Sequence, residues 1–227
     1  MKQQILFVFS IATLLFTACS KNDDDGNNPS TPQAKVKFVH AAIIGDSLQV
    51  RSNNTAIAGV PKLGFMNSSG YVNVNTGSAT YGFYSTATGT LYEDTTINFA
   101  ANNNYTVYAT GGFSGTGIVV TTDDLTAPAS GKAKIRFINL SPDNINLRTE
   151  LNGSATDSNI SYKGVTAFRE VNAGTYTVAA GGSTIASGVS LSGQNLQSGK
   201  IYTYIYNGVS TGTGTPNAYS LIQIQHN

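Results

Sequence analysis

Two stretches of the chain alternate charged and apolar side chains in the same way. They cover residues 34–42 and 133–141 and agree in residue type at seven consecutive places. Alternation with a period of two residues is typical of a half-buried β-strand. In the first stretch Val36 and Phe38 would face a core, while Lys37 would face away from it. Each stretch therefore predicts the opening strand of a β domain.

The repetition extends beyond the opening strands. Residues 71–77 match residues 168–174, and residues 104–108 match residues 201–205. The offsets are 99 for the opening strand and 97 for both later segments, so the order and spacing of the strands are kept. A conserved spacing of this kind predicts two tandem copies of one domain.

The domain boundaries follow from the repeat. The prediction is a signal peptide, a flexible tether, a first domain, a linker and a second domain, at residues 1–18, 19–33, 34–124, 125–131 and 132–227. Because the linker is short, we expect the two domains to touch.

The fold class predicted for each copy is an antiparallel β-sandwich of the immunoglobulin-like type, which makes the protein all-β. Short apolar runs separated by turn residues are typical of such sandwiches, and a single continuous sheet or barrel is the alternative. The predicted strands lie near 35–40, 47–52, 63–66, 70–75, 79–85, 92–99, 104–109 and 117–122, then near 133–139, 145–150, 164–170, 174–180, 184–190, 200–206 and 218–225.

The N-terminus has the pattern of a secretory signal. Lys2 supplies a positive charge, residues 5–16 are apolar, and small residues precede the single cysteine, Cys19. This arrangement is typical of a signal peptide. The apolar run is shorter than the roughly 20 residues of a membrane-spanning helix.

Residues 16–19, Phe-Thr-Ala-Cys, resemble the lipobox of bacterial lipoproteins, with Phe16 where Leu is usual. The resemblance implies that Cys19 carries a diacylglycerol and a fatty acid such as palmitate, with no other cofactor. Acyl chains contribute roughly 0.8 kcal/mol per buried methylene, so such a terminus anchors a protein to a membrane. The alternative is a free cysteine after an ordinary cleavage site; a lone cysteine cannot form an internal disulfide.

The segment after the cysteine is polar and contains an acidic run, Asp23, Asp24 and Asp25. Such a segment cannot bury a core, so we expect a flexible tether. The acidic run resembles the surface-export signal of lipoproteins in the Bacteroidetes group. That resemblance implies a location in the outer membrane, facing the cell exterior. A solvated charge cluster is the alternative.

The charge balance disfavours two classes of partner. Removing residues 1–18 takes away one basic residue, Lys2, so 13 − 1 = 12 basic side chains face 12 acidic ones. A nucleic-acid binder would show a basic patch or stripe. A polybasic membrane surface is disfavoured for the same reason.

Several segments resemble the family of domains of unknown function designated DUF4397. They are residues 35–41, 69–74 and 105–107 in the first copy and residues 136–143, 171–178 and 202–203 in the second. The family's usual His-Ala-Ser-Pro-Asp turn reads His-Ala-Ala-Ile-Ile from His40, while the second copy keeps Ser-Pro-Asp after Asn139. The resemblance implies a surface-anchored bacterial β domain suspected of adhesion or substrate binding, with no catalytic residues to transfer.

Both histidines favour structural roles. His40 ends a predicted strand, where its ring would bond to the following turn, as Asn139 could do in the second copy. His226 is the penultimate residue, and chain termini usually fray. No His-x-His or Cys/His spacing supports a transition-metal site.

The acidic and glycine-rich positions give no recognisable catalytic pattern. Glycosidases need two carboxylates across a sugar, and none of Glu93, Asp94, Glu150 and Glu170 lies in such a setting. Asp123 and Asp124 predict a turn before the linker, with a weak calcium site as the alternative. Residues 111–117 are glycine-rich but precede no helix, which favours a hairpin loop over a phosphate site.

Tyr202, Tyr204 and Tyr206 alternate onto one face of a predicted strand. One interpretation is an exposed aromatic face that binds a sugar ring or a partner protein. The other is burial in the core or between the domains, with the hydroxyls at the rim. Tryptophan, a frequent sugar-stacking residue, is absent.

These observations favour a non-catalytic, lipid-anchored surface protein used for adhesion or ligand binding. Its partners would be the membrane, through the anchor, and an extracellular glycan, matrix protein or envelope protein. A structural subunit of an outer-membrane assembly is the second hypothesis, and an extracellular hydrolase is the third.

Overall fold

The computed structural model describes residues 31–112, 115–142, 146–182, 188–209 and 218–227. Residues 31–227 form one compact unit. Across the described ranges all regular secondary structure is β-strand, which confirms the all-β fold class. The described part of the chain contains no helix long and apolar enough to cross a membrane.

The described ranges contain sixteen strands. The first half contains β1 Gln33–His40, β2 Leu48–Ser52, β3 Thr55–Ala56, β4 Val72–Asn75, β5 Gly77–Ser85, β6 Leu91–Phe99, β7 Asn104–Gly112 and β8 Gly115–Thr122. The second half contains β9 Lys132–Asn139, β10 Leu147–Leu151, β11 Ser154–Ile160, β12 Arg169–Asn172, β13 Gly174–Gly181, β14 Val189–Leu196, β15 Ile201–Asn207 and β16 Ser220–Gln225.

The strands form four four-stranded sheets with the same order in each half. The first half has β4-β1-β7-β8 and β3-β2-β5-β6, and the second has β12-β9-β15-β16 and β11-β10-β13-β14. Each half is therefore a β-sandwich of two sheets, as the sequence predicts. The pairing is antiparallel except between β1 and β7 and between β9 and β15, which are parallel.

Each sandwich has its own apolar core between its two sheets. In the first, Phe38 lies 6.3 Å from the rings of both Tyr81 and Phe83. In the second, Phe137 stacks on Tyr204 at 5.5 Å. Burying side chains of this size contributes roughly 1.5–3 kcal/mol each.

A third apolar cluster joins the two sandwiches. Val39 and Tyr108 from the first sandwich pack with Ile138 and Ile205 from the second. The sheets that contain β1 and β9 therefore lie face to face, and the molecule has four sheet layers. The expected contact between the two halves is present, but the exact domain boundaries remain a prediction.

The face-to-face sheets overturn one expectation. Lys37 on β1 and Arg136 on β9 were predicted to face away from the core of a half-buried strand, and both are buried. The prediction of a half-buried strand is wrong at these two positions because the opposite sandwich covers them. The alternation marks two different buried surfaces, one apolar and one polar.

Three predicted strands differ from the observed ones, and two observed strands, β3 and β11, were missed. The strand predicted at 164–170 overlaps β12 only at residues 169 and 170. At residues 63–66 only Leu63 pairs, through an isolated bridge to Leu48. The strand predicted at 184–190 overlaps β14 at residues 189 and 190, while residues 184–187 lie outside the described residues. Strand β11 is polar along most of its length and gives no apolar alternation.

The turn before β11 has a sequence that indicates a β-hairpin. Asn152 and Gly153 have positive φ angles of 49° and 76° between β10 and β11. An Asn-Gly pair with both residues in the left-handed region is a strong hairpin turn. The polar strand could therefore have been found from its turn.

Candidate functional site

A buried ion pair lies where the two sandwiches meet. Arg136 on β9 donates to Asp123, which directly follows β8, with 2.5 Å between Arg136 Nη2 and Asp123 Oδ1. The second carboxylate oxygen accepts from the hydroxyls of Tyr71 and Thr106, each at 2.6 Å. Thr121 donates to Asp123 Oδ1 at 3.2 Å. Every neighbour of this carboxylate is a donor, which is what a buried charge requires.

Five side chains close this cluster into a ring. Arg136 Nε donates to Thr203 Oγ1 at 2.8 Å, and Thr203 lies 2.7 Å from His226 Nε2. His226 Nδ1 lies 2.7 Å from the hydroxyl of Tyr71, which donates to Asp123. We call Arg136, Thr203, His226, Tyr71 and Asp123 the polar ring.

The direction of each bond in the polar ring follows from its neighbours. Because the Tyr71 proton goes to Asp123, the Tyr71 oxygen accepts from His226 Nδ1–H. A neutral imidazole has one donor and one acceptor nitrogen, so its Nε2 then accepts from the Thr203 hydroxyl. In its neutral form the imidazole of His226 therefore carries its proton on Nδ1.

Burial sets the electrostatics of the polar ring. Desolvation lowers the pKa of His226 to about 3, with the attraction of Asp123 opposing the shift and the charges of Arg136 and Lys37 adding to it. Burial also lowers the pKa of Lys37, against the attraction of Asp123. Burial, followed by the charge of Asp123, raises the pKa of the Tyr71 hydroxyl. His226 therefore stays neutral at physiological pH.

The two sandwiches contribute equivalent positions to this cluster. Lys37 and Arg136 differ by 99 positions, and each donates to a carbonyl of the opposite sandwich: Lys37 to Gln225 and Arg136 to Thr122. The Lys37 ammonium lies 4.9 Å from the ring of Tyr71. The Arg136 guanidinium correspondingly lies 4.3 Å from the ring of Phe168, which is 97 positions after Tyr71.

Asp123 and His226 are also an equivalent pair. The backbone amide of Asp123 donates to Asn104, and that of His226 donates to Ile201, 97 positions later. The two side chains meet across the interface, with 3.8 Å between Asp123 Oδ2 and His226 Nδ1. The internal repeat therefore places a carboxylate opposite an imidazole.

The polar ring has the residue types of a hydrolase but not its geometry. A nucleophile needs a free hydroxyl beside its base and a place for substrate. The Thr203 hydroxyl is fully buried and takes part in two bonds of the ring, and His226 is buried too. The arrangement stabilises the contact between the sandwiches.

An open cleft of about 1040 Å³ runs beside the polar ring. Both sandwiches line it, with Asn103, Asn104, Val120, Thr121, Thr122, Asp123, Asp124, Leu125 and Thr126 on one side and Arg136, Val165, Thr166, Ala167 and Phe168 on the other. Val120 is 38% exposed and Val165 is 37% exposed. They are two of the three exposed large apolar side chains in the described part of the chain.

The tyrosine row is not an exposed surface. Tyr202, Tyr204 and Tyr206 are 2%, 0% and 1% exposed and belong to the core of the second sandwich. The prediction of a possible binding face there is wrong. The opposite row of β15 is covered by the first sandwich through Ile205, so both faces of this strand are buried.

The structure tests the expectations for both histidines. The amide of Ala42 donates to His40 Nδ1 at 3.3 Å, as the amide of Ser141 donates to Asn139 Oδ1 at 3.0 Å. The structural role of His40 in its turn is confirmed. The expectation of a frayed end is wrong for His226, because the polar ring holds its side chain.

The acidic pair before the linker is held by basic residues. Asp123 pairs with Arg136, and Asp124 pairs with Lys134 at 2.7 Å. In the described ranges no three His, Cys, Asp or Glu side chains are grouped to hold a metal ion. The calcium alternative therefore has no support at this position. In the glycine-rich segment, Gly111 pairs with Thr116 and Gly112 with Gly115, as expected for a β7–β8 hairpin. Residues 113–114 lie outside the described residues.

The other carboxylates considered as catalytic candidates do not share a partner. Glu93 accepts from Thr116, Glu150 pairs with Arg148, and Glu170 accepts from the amide of Ala129. Asp94 lies exposed on β6. Cys19 and Asp23, Asp24 and Asp25 lie outside the described residues, so their roles stay predictions.

Comparisons with known proteins give one family match. The family described as "Domain of unknown function (DUF4397)" matches residues 34–150, a little more than half of the 227 residues. The match covers the first sandwich and extends through β9 into β10. Whether the second sandwich is a second copy of that domain stays a prediction. No curated protein matches the chain in sequence.

Several solved structures are similar to this chain, and the likeness to one of them illustrates how weak the similarity is. It is the crystal structure of CBMbc (family CBM26) from Eubacterium rectale Amy13K in complex with maltoheptaose. The identity is 10% and the TM-score is 0.25, over 83% of this chain and 100% of that chain. A likeness at this level carries no argument about what this chain binds.

Proposed function

The chain belongs to the DUF4397 family, and from that premise we propose that it is a non-catalytic, lipid-anchored surface protein that binds an extracellular ligand between its two sandwiches. The observation that carries this proposal is the open cleft of about 1040 Å³, which exposes apolar side chains beside amides and hydroxyls. Binding sites for small ligands are typically concave, with apolar walls and a few polar groups.

The charges of the cleft favour an uncharged ligand. Asp123 is already paired with Arg136, and Asp124 with Lys134. The remaining polar lining consists of the amides of Asn103 and Asn104 and of threonine hydroxyls. An uncharged ligand with apolar and hydroxyl-bearing faces suits such a lining. A neutral extracellular glycan has this chemistry.

The cleft is tested by placing a charge on its exposed apolar walls. The fragment 31–227, which is one compact unit, is screened against neutral polysaccharides. Val120→Asp and Val165→Asp are each expected to weaken binding at least tenfold, because a bare carboxylate would be desolvated against the ligand. Exposed substitutions change stability by only about 0.5 kcal/mol, so folding is preserved.

Leu91→Asp is the matched control. Leu91 is 48% exposed and lies outside the cleft, so its variant should bind as the wild type does. The cleft would be refuted as the binding site if all three substitutions weakened binding equally. It would also be refuted if neither valine variant weakened binding. If no polysaccharide binds, isolation of partners from the native envelope tests the assembly-subunit hypothesis.

The lipid anchor has a separate test. The proposal rests on Cys19 in its lipobox-like sequence and on the acidic run behind it. Cys19→Ala is expected to move the protein from the membrane fraction to the soluble fraction, since the acyl chains supply the affinity for the membrane. Fractionation and metabolic labelling with a fatty acid measure this. An alanine variant that stays in the outer membrane would show that the anchor is wrong.

A further inference from the structure

The polar ring crosses the interface between the sandwiches twice. Tyr71 and Asp123 belong to the first sandwich, while Arg136, Thr203 and His226 belong to the second. The crossing bonds are Arg136–Asp123 at 2.5 Å and His226–Tyr71 at 2.7 Å. Four of the five side chains are buried, and Tyr71 is half-buried. Losing either crossing bond opens the ring and leaves buried polar groups without partners.

A second proton on His226 costs the ring one hydrogen-bond acceptor. In the neutral ring Nε2 accepts from the Thr203 hydroxyl, whose oxygen accepts from Arg136 Nε. A proton on Nε2 turns this nitrogen into a donor to the Thr203 oxygen. The buried Thr203 hydroxyl hydrogen then loses its acceptor in the ring.

The groups facing His226 also oppose a positive charge. Lys37 on β1 and Arg136 on β9 are cations, and the ring of Phe168 meets the imidazole edge to face at 5.8 Å. Tyr71 faces it as a neutral hydroxyl. The anion that faces it is Asp123, which already accepts from Arg136, Tyr71 and two threonines.

We propose that the polar ring is an acid-released latch, which holds the two sandwiches together at neutral pH and opens when His226 takes up a proton. Because Val120 belongs to the first sandwich and Val165 to the second, opening also divides the cleft. The latch itself does not depend on the proposed function; only the resulting release of a ligand does.

The direction of the pH effect follows from the shift of His226. Its pKa is lowered to about 3 in the docked protein, whereas a solvated imidazole has a pKa of about 6.5. Between these values the separated form binds a proton that the docked form does not. The contribution of His226 to docking is therefore fully present above about pH 6.5. It is lost as the pH falls towards 3, by about tenfold in the docking constant per pH unit.

The test combines histidine NMR with small-angle X-ray scattering of the fragment 31–227. The protein has only two histidines, so selective 15N labelling gives two imidazoles, and His40→Gln assigns them. His226 is expected to be protonated on Nδ1. His40, whose Nδ1 accepts from Ala42, is expected to be protonated on Nε2. Lowering the pH should protonate His226 and increase the radius of gyration at the same midpoint, while far-UV circular dichroism keeps its β signal.

His226→Gln separates the latch from general acid denaturation. Its amide can accept from Thr203 and donate to Tyr71, but it does not titrate, so this variant should stay docked where the wild type opens. Protonation of His226 without a change in scattering overturns the latch. So does separation while His226 is neutral, or unfolding of both sandwiches in a single step. If the variant fails to fold, the joint titration of the wild type decides.

Discussion

Asp123→Asn is expected to lower the free energy of unfolding by about 3–5 kcal/mol, the usual cost of breaking a buried ion pair. All the hydrogen-bond neighbours of Asp123 are donors: Arg136 and Thr121 at one oxygen, Tyr71 and Thr106 at the other. In one orientation the NH₂ group of the new amide faces the Arg136 guanidinium, which can only donate; in the other, the hydroxyls of Tyr71 and Thr106 must stop donating to it. Arg136 also loses its buried counter-ion.

Urea denaturation followed by circular dichroism measures this loss, and Asp124→Asn is its control. Asp124 is the next residue and also forms an ion pair, with Lys134, but its side chain is 54% exposed. Exposed pairs contribute about 0–1 kcal/mol, so this variant should remain close to the wild type. Equal losses of unfolding free energy for both variants would mean that the buried ion pair contributes no more to stability than the exposed one. The Asp123 variant should also show separated sandwiches at neutral pH.

Tyr204→Ala is expected to cost about 3–5 kcal/mol, as other large-to-small changes of buried aromatic residues do. Tyr204 is fully buried, stacks on Phe137 at 5.5 Å, and accepts a hydrogen bond from the amide of Gln223 at 2.8 Å. Alanine would leave a cavity between the sheets of the second sandwich. Thermal and urea denaturation measure the loss.

Tyr204→Phe keeps the ring and removes only the hydroxyl. It should cost about 1–2 kcal/mol, because the Gln223 amide, which is partly accessible, loses one acceptor. An alanine variant as stable as the phenylalanine variant would show that the tyrosine row is not core. Loss of ligand binding in Tyr204→Ala would therefore report on folding and would not locate a binding surface.

Most of the fold that could be predicted from the sequence was predicted from its internal repeat. The stretches that begin at Ala34 and Ala133 gave the opening strands, and the offsets gave the two sandwiches. The parallel pairing of β1 with β7 could not be read from these patterns, because alternation does not show which strand lies alongside. The turn at Asn152 and Gly153 carried usable information about β11 that alternation lacked.

The candidate site was less accessible to sequence reasoning. Lys37 and Arg136 look like solvent-facing positions of a half-buried strand until a second sheet covers them. His226 looks like a loose terminus until Thr203 and Tyr71 are found beside it. Sequence spacing alone could not bring Val120 and Val165 to one cleft, since that depends on how the sandwiches dock.

The equivalent contacts across the interface have a consequence for how the two sandwiches are joined. In an isologous two-fold dimer, residue i of one subunit contacts residue j of the other, and residue j of the first contacts residue i of the second. The two sandwiches contact each other in this way through their equivalent positions. In a dimer of identical chains, the residue beside the axis must meet its own copy. One continuous chain removes that restriction, because its two halves can mutate independently. Here Asp123 meets His226, a pairing that two identical subunits could not place at that position.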